Sequence, residues 1–239
     1  MKNIKGSLLL LSVPMLLTGC FRTSVSQDKF AKQIDTAKAN IALDSSRIDN
    51  VHIHNKLSVD NYNYKKGEFY SYHMFAIALI VPITHGEYTW KDGDKYYHAL
   101  TYTDSSKNKT TEIDEAQFNT YMEAHRVTIQ NLLQEPVSLA ESLLNKTNET
   151  YTVKSNALTY EAFSSEYRLV SKVSYQEHDP NNYEQMITRD KTYTYKMKKG
   201  LPSSMTYKEN WENGSEQTWS YSYGDATFSD PNKSNESEQ

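Results

Sequence analysis

Tyr193-Thr194-Tyr195-Lys196-Met197-Lys198-Lys199-Gly200-Leu201-Pro202 alternates large apolar and polar side chains, turns at a lysine-glycine pair, and resumes with an apolar residue. A period of two puts Tyr193, Tyr195 and Met197 on one strand face and Thr194, Lys196 and Lys198 on the other. Gly200 supplies the backbone freedom of a tight turn, and Pro202 suits the start of the following strand. The stretch reads as a hairpin with one packed face and one wet face.

The same pattern extends on both sides. Strands are expected over residues 151–159, 167–177, 185–198, 203–211 and 217–223, with turn chemistry at Asp179-Pro180-Asn181-Asn182 and Glu212-Asn213-Gly214-Ser215. In the last of them, Trp219, Tyr221 and Tyr223 alternate with serine. The chain holds 19 tyrosines and few glycines, which favours pleated strands with aromatic cross-strand pairs. The glycines at 67, 86, 93, 200, 214 and 224 all read as turns or segment boundaries, leaving none for a phosphate-cradling loop.

Upstream the period changes. Phe30, Ile34, Ala37 and Ile41 recur at helical spacing, predicting a helix over 28–45. From Val51 the period returns to two, with Val51, Ile53, Leu57 and Val59 opposite His52, His54, Lys56 and Ser58. The run Met74-Phe75-Ala76-Ile77-Ala78-Leu79-Ile80-Val81-Pro82-Ile83 is too short to span a bilayer and reads as a buried strand. Asp92-Gly93 between two strand-like runs predicts a hairpin. After a polar loop near 104–110, a second helix is expected over 112–134 with Glu112, Asp114 and Glu115 in its acidic first turn. Pro136 suits the first position of a third, short helix whose face is Val137, Ala140, Leu143 and Leu144.

The first residues carry a different message. Lys2 and Lys5 precede the apolar run 8–17, which ends in Leu17-Thr18-Gly19-Cys20, the arrangement of a cleavable export signal. Cys20 is the only cysteine in the chain. The last four residues resemble the lipobox of bacterial lipoproteins, which implies diacylglycerol on the Cys20 sulfur and cleavage just before it. Residues 1–19 are then the signal peptide, 20–27 a lipidated tether, 28–228 one domain, and 229–239 a disordered tail. The partner is the membrane through lipid on Cys20, and the location is the extracytoplasmic face of the cell membrane, lipid-anchored. With no other cysteine, extracytoplasmic stability has to come from packing. The formal net charge of −4, which becomes more negative once Lys2 and Lys5 are removed, argues against a nucleic-acid partner.

An N-terminal helix, strands, a helical insertion and the closing meander around Tyr193 to Pro202 together resemble the LolA/LppX-LprG type of lipoprotein. The resemblance covers about 28–228 and rests on element order and on the Lys-Lys-Gly-Leu-Pro hairpin. It implies an α+β fold: a curved antiparallel sheet, an incompletely closed half-barrel, with helices covering its concave face. It also implies that acyl chains are held between sheet and helices.

On this reading Met74, Phe75, Ile77, Leu79 and Val81 are the candidate ligand-binding residues, and the plainer role for the same run is a central core strand. His52 and His54 leave one strand face together and could supply two metal ligands, but the sequence assigns no third, and no metal or other cofactor is expected. Trp211, Trp219, Tyr221 and Tyr223 suit either sugar stacking or cross-strand packing. No Gly-x-Ser-x-Gly, His-Glu-x-x-His or Walker pattern occurs, and no enzymatic activity is expected. The leading expectation is a lipoprotein that binds or carries a hydrophobic ligand, a lipid. The alternative is a cell-surface interaction module that binds protein or glycan through an exposed strand face.

Overall fold

A computed structural model describes residues 22–42, 48, 50–55, 60–77 and 81–224, and within these the side chains of 75–82 are left aside. The export signal, Cys20, Leu57, Val59, Leu79 and the tail after 224 lie outside the described residues. The chain runs through β1 (Arg22–Ser24), α1 (Gln27–Asn40), β2 (Asn50–Asn55), β3 (Asp60–Lys65), β4 (Glu68–Ile77), β5 (Val81–Asp92), β6 (Lys95–Tyr102) and β7 (Lys109–Ile113). It continues through α2 (Glu115–Asn145), β8 (Thr152–Glu161), β9 (Glu166–Asp179), β10 (Asn182–Lys198), β11 (Leu201–Glu209) and β12 (Glu216–Tyr223).

All twelve described strands join one antiparallel sheet in the order β1-β8-β9-β10-β11-β12-β2-β3-β4-β5-β6-β7. The sheet is curved and does not close, so β1 and β7 are its edges. With two helices, the fold is α+β. Two consecutive meanders, β2 to β7 and β8 to β12, are sewn together where β12 pairs with β2, Tyr221 opposite Ile53. Each meander is preceded by one helix.

The helices form for local reasons and persist for tertiary ones. Ser26 caps α1 by accepting from the Lys29 backbone N–H at 3.3 Å, and Phe30, Ile34 and Ala37 form its buried stripe. Asp114 caps α2 in a capping box: its carboxylate accepts from Gln117 N at 2.7 Å, and Gln117 Oε1 accepts from Asp114 N at 3.1 Å. Phe118, Met122, Ile129, Leu133, Val137, Ala140 and Leu144 line the buried face of α2 and meet Val51, Ile53, Phe69, Leu169, Tyr195 and Met197 from the sheet in one cluster. Each such aliphatic side chain contributes about 1.5–3 kcal/mol by leaving water.

Several expectations are corrected. The two helices expected over 112–134 and from Pro136 are one, α2, with Pro136 buried in its interior. Packing along a continuous apolar stripe outweighs the missing hydrogen bond there. Glu112 belongs to β7, where it pairs with Lys95 at 2.9 Å, so only Asp114 and Glu115 serve the helix start. The run 74–83 is not one buried strand. It is divided between β4 and β5, which pair Phe75 with Ile83 and Ile77 with Val81, and Ile83 is 47% exposed. Pro82 has no N–H to donate and fits near the start of a strand better than its middle.

Gly86 lies inside β5, not at a boundary, and a Cβ there would strike the Thr101 hydroxyl. The tether expected over 20–27 is ordered from Arg22, which pairs with Glu161, and Gln27 already begins α1. The Asp92-Gly93 hairpin stands as expected, Asp92 opposite Lys95 and Gly93 at φ 57°.

Candidate functional site

An apolar concavity lies between the C-terminal half of α2 and the second meander. On β10 the odd positions turn toward the helices: Tyr195 and Met197 enter the core, and Tyr193 comes next along the same face. Strand register then decides its neighbours. Tyr193 faces Tyr207 on β11, and Met205 faces Trp219 on β12. Leu139 and Ser142 of α2 form the opposite wall, and Tyr151 stands at the end. The cleft measures about 480 Å³.

Its aromatic rings form a continuous row. Centroids are 5.4 Å apart for Tyr151 and Tyr193, 6.1 Å for Tyr193 and Tyr207, and 5.9 Å for Tyr207 and Trp219. Such spacings and tilts are the favourable arrangements of aromatic pairs. The Tyr207 hydroxyl donates to Gln217 Oε1 at 2.7 Å. Asn148 holds the connector in place, its carbonyl oxygen accepting from Tyr151 N at 2.9 Å and its amide donating to Ser142 Oγ at 3.1 Å. Burial, with the Tyr151 hydroxyl beside it, pushes the Tyr193 phenol well above its ordinary range, so it stays neutral.

A charged pair stands next to the row. Lys191 Nζ is 3.4 Å from Glu209, 4.5 Å from the Tyr175 ring centroid and 5.1 Å from that of Tyr207. Burial pushes Glu209 up, but the Ser215 backbone and hydroxyl donors and Lys191 outweigh it and leave the carboxyl below its usual range. The trough is aromatic and partly open, with the Glu135 carboxylate and the Ser138 and Ser142 hydroxyls along its α2 wall and one compensated ion pair beside it, and its rings can hold an apolar chain.

The candidate ligand residues fall elsewhere. Met74 is half-buried on β4 opposite Thr84 and does not line the cleft. Phe75, Ile77 and Val81 lie in the β4–β5 pair, with side chains outside the described set, and Leu79 lies outside the described residues. Of the four aromatic residues near the C-terminal end of the sheet, Trp219 lines the cleft, Tyr221 is buried and Tyr223 half-buried beside a smaller cavity of about 280 Å³, and Trp211, in the β11–β12 turn, is covered by Arg189 at 5.0 Å. Strand alternation shows which residues share a face. It does not reveal that Tyr151 and Leu139 close the trough, because that depends on how α2 lies over the sheet.

His52 and His54 do leave the same face of β2, ring centroids 6.5 Å apart, and His54 Nδ1 is bound to Asn61. Burial and then His54 hold His52 below its usual range. Among the described residues, no group of three or more His, Cys, Asp or Glu side chains is placed to hold a metal ion. No described helix is long and apolar enough to cross a membrane.

No protein-family model matches the chain, and no curated protein matches it. Among solved structures, the Helicobacter pylori β clamp in complex with 5-chloroisatin is similar at 10% identity and a TM-score of 0.14, covering 89% of this chain and 65% of the clamp. The H. pylori β clamp bound to a DNA ligase peptide gives 10% identity and a TM-score of 0.14, with 89% and 69% covered. This chain thus spans about 65% of the first clamp's length, and a likeness at that TM-score carries no argument about fold or partners.

Proposed function

We propose that this chain is an extracytoplasmic lipoprotein, acylated on Cys20 and lipid-anchored at the membrane, that binds or carries a lipid and catalyses no reaction. On this reading the domain is of the LolA/LppX-LprG kind, its helices lie over the concave side of the sheet, and an acyl chain occupies the space between them. The single observation that supports it is the aromatic cleft of about 480 Å³ between α2 and β10 to β12. That volume falls within the roughly 300–1,000 Å³ of small-molecule sites.

Magnitudes are compatible with a carrier. About sixteen buried methylenes contribute about 13 kcal/mol at about 0.8 kcal/mol each. Subtracting an association cost of at least about 4 kcal/mol leaves about 9 kcal/mol, close to micromolar binding. A ligand held that tightly can be both captured and released. The test is native mass spectrometry of protein begun at Phe21, with and without added phospholipid. Retained or exchanged lipid, lost in Trp219→Ala, is the expected result. Protein that neither retains nor takes up lipid overturns the reading.

A second reading is supported by the other face of the sheet. His52, Asn63, Tyr70 and Tyr88 form one cross-strand row, and His54, Asn61 and Tyr72 the next. The Tyr70 and Tyr88 rings are 4.6 Å apart. A surface of tyrosine, histidine and asparagine, bordered by the Lys65–Glu68 pair, suits a glycan or a protein partner. Binding to a glycan array that Tyr70→Ala abolishes, with no lipid found in the cleft, would favour this reading.

A further inference from the structure

The edge strand β1 fixes where the chain before it can reach. Arg22 pairs with Glu161 and Ser24 with Thr159, so residues preceding Arg22 and residues following Glu161 lie off the same end of the β1–β8 pair. Cys20 is two residues ahead of Arg22, within about 7 Å of it at full extension. The β8–β9 turn begins at that same end, and it is fixed: Ser165 N donates to Ala162 O at 3.3 Å, and Ser164 Oγ donates to Glu161 at 3.3 Å. At its tip is Phe163, 71% exposed.

The neighbouring β10–β11 turn lies at this end too, because Lys198 pairs with Glu166. It presents Lys198 and Lys199, both exposed. Among the described residues here, Glu161 is paired with Arg22 at 4.0 Å and Glu166 with Lys196 at 3.0 Å. An exposed aromatic ring with lysines on the adjacent turn is the chemistry of an interfacial membrane contact. A lipid held on a long flexible tether would leave the domain free to tumble, but two residues do not.

We infer that the domain stands on the membrane by this end, with Phe163 entering the lipid interface beside acylated Cys20 and the two lysines over anionic headgroups. The inference rests on the lipoprotein reading and adds a second contact and a fixed orientation to it. The opposite end of the β9–β10 hairpin carries Tyr183, 77% exposed, and Met186, 50% exposed, so exposure alone does not choose between the ends. The entry of the chain into β1 at Arg22 does.

The test uses the full chain made in cells that acylate it, transferred to vesicles of phosphatidylcholine and phosphatidylglycerol with brominated acyl chains. The tryptophan added in Phe163→Trp is expected to lose about half its emission, the ring sitting within the bromine-bearing layer. The tryptophan added in Tyr183→Trp is expected to keep its emission. An unquenched Phe163→Trp, or equal quenching of both, overturns the orientation. Cys20→Ser separates the two readings, since it should lose the diacylglycerol mass and leave the membrane fraction. If it stays there unchanged, the anchor reading fails and this inference with it. If it is released while Phe163→Trp remains unquenched, the orientation alone fails.

Discussion

Phe69 of β4 and His125 of α2 lie face to face, ring centroids 3.6 Å apart and planes 5° from parallel. His125 Nε2 is 3.1 Å from Thr89 Oγ1, which is also 3.1 Å from His98 Nδ1, and Glu87 Oε1 is 3.6 Å from Nε2. Burial first, and then His98, lower the His125 pKa from 6.5 to about 3. The imidazole is therefore neutral at pH 7, and the Glu87 contact is polar, not an ion pair. As pH falls, the unfolded chain binds this proton first. The stability His125 contributes is complete above 6.5 and is lost between 6.5 and about 3. The slope reaches at most about 1.4 kcal/mol per pH unit. Urea unfolding at pH 7 and pH 5 checks it: the wild type should lose more stability over this interval than His125→Gln.

Trp219 and Tyr207 are half-buried cleft residues, Trp219 packing on the edge of the main core and Tyr207 on the smaller cluster of Leu143, Val173 and Tyr193. Replacing either by alanine should cost about 1–3 kcal/mol of stability and remove most bound lipid. Ile34→Ala, in the filled core under α1, should cost about 2–5 kcal/mol and leave lipid binding intact at temperatures where the variant is folded. Parallel thermal melts and lipid-retention measurements separate the two behaviours.

Pro136 interrupts the hydrogen-bond ladder of α2 while its ring is buried. A helix-interior proline costs about 3 kcal/mol relative to alanine. Losing about two ring methylenes from the core costs about 1.6 kcal/mol. The first quantity is larger, so Pro136→Ala should stabilise the protein by about 1 kcal/mol, read as a rise in the urea midpoint with an unchanged slope.

Lys146 ends α2 in the left-handed region at φ 57°, its N–H donating to Leu143 O. Glycine adopts that conformation without the Cβ conflict. Lys146→Gly should therefore stabilise by about 0.5–1 kcal/mol, seen as a higher Tm, and the same change at Lys38 inside α1 should destabilise by about 1 kcal/mol.

The second meander was legible because Tyr193, Tyr195, Met197, Trp219, Tyr221 and Tyr223 alternate strictly and the turns between strands carry Pro, Asn and Gly. β3 was not, since Asp60-Asn61-Tyr62-Asn63-Tyr64-Lys65 alternates aromatic with polar residues but holds no aliphatic one, and its burial comes from pairing with β2 and β4. β7 was hidden because Lys109-Thr110-Thr111-Glu112-Ile113 is an exposed edge strand, which needs no apolar face. The cleft was half legible. Periodicity identifies the aromatic face, whereas Tyr151 and Leu139 reach it through the path of α2, which depends on contacts far apart in sequence.

The pairing of β12 with β2 also has a consequence for how the molecule is assembled. The strand that joins the two meanders is the last one described, so Tyr221 meets Ile53 only after the ten strands from β2 to β11 are available. Until then β2 and β11 each expose an unpaired edge, and contacts this distant are slow to close. The chain should consequently fold late, as two unfinished sheets that become one when β12 inserts. Removal of β12 should yield an aggregation-prone pair of half-sheets.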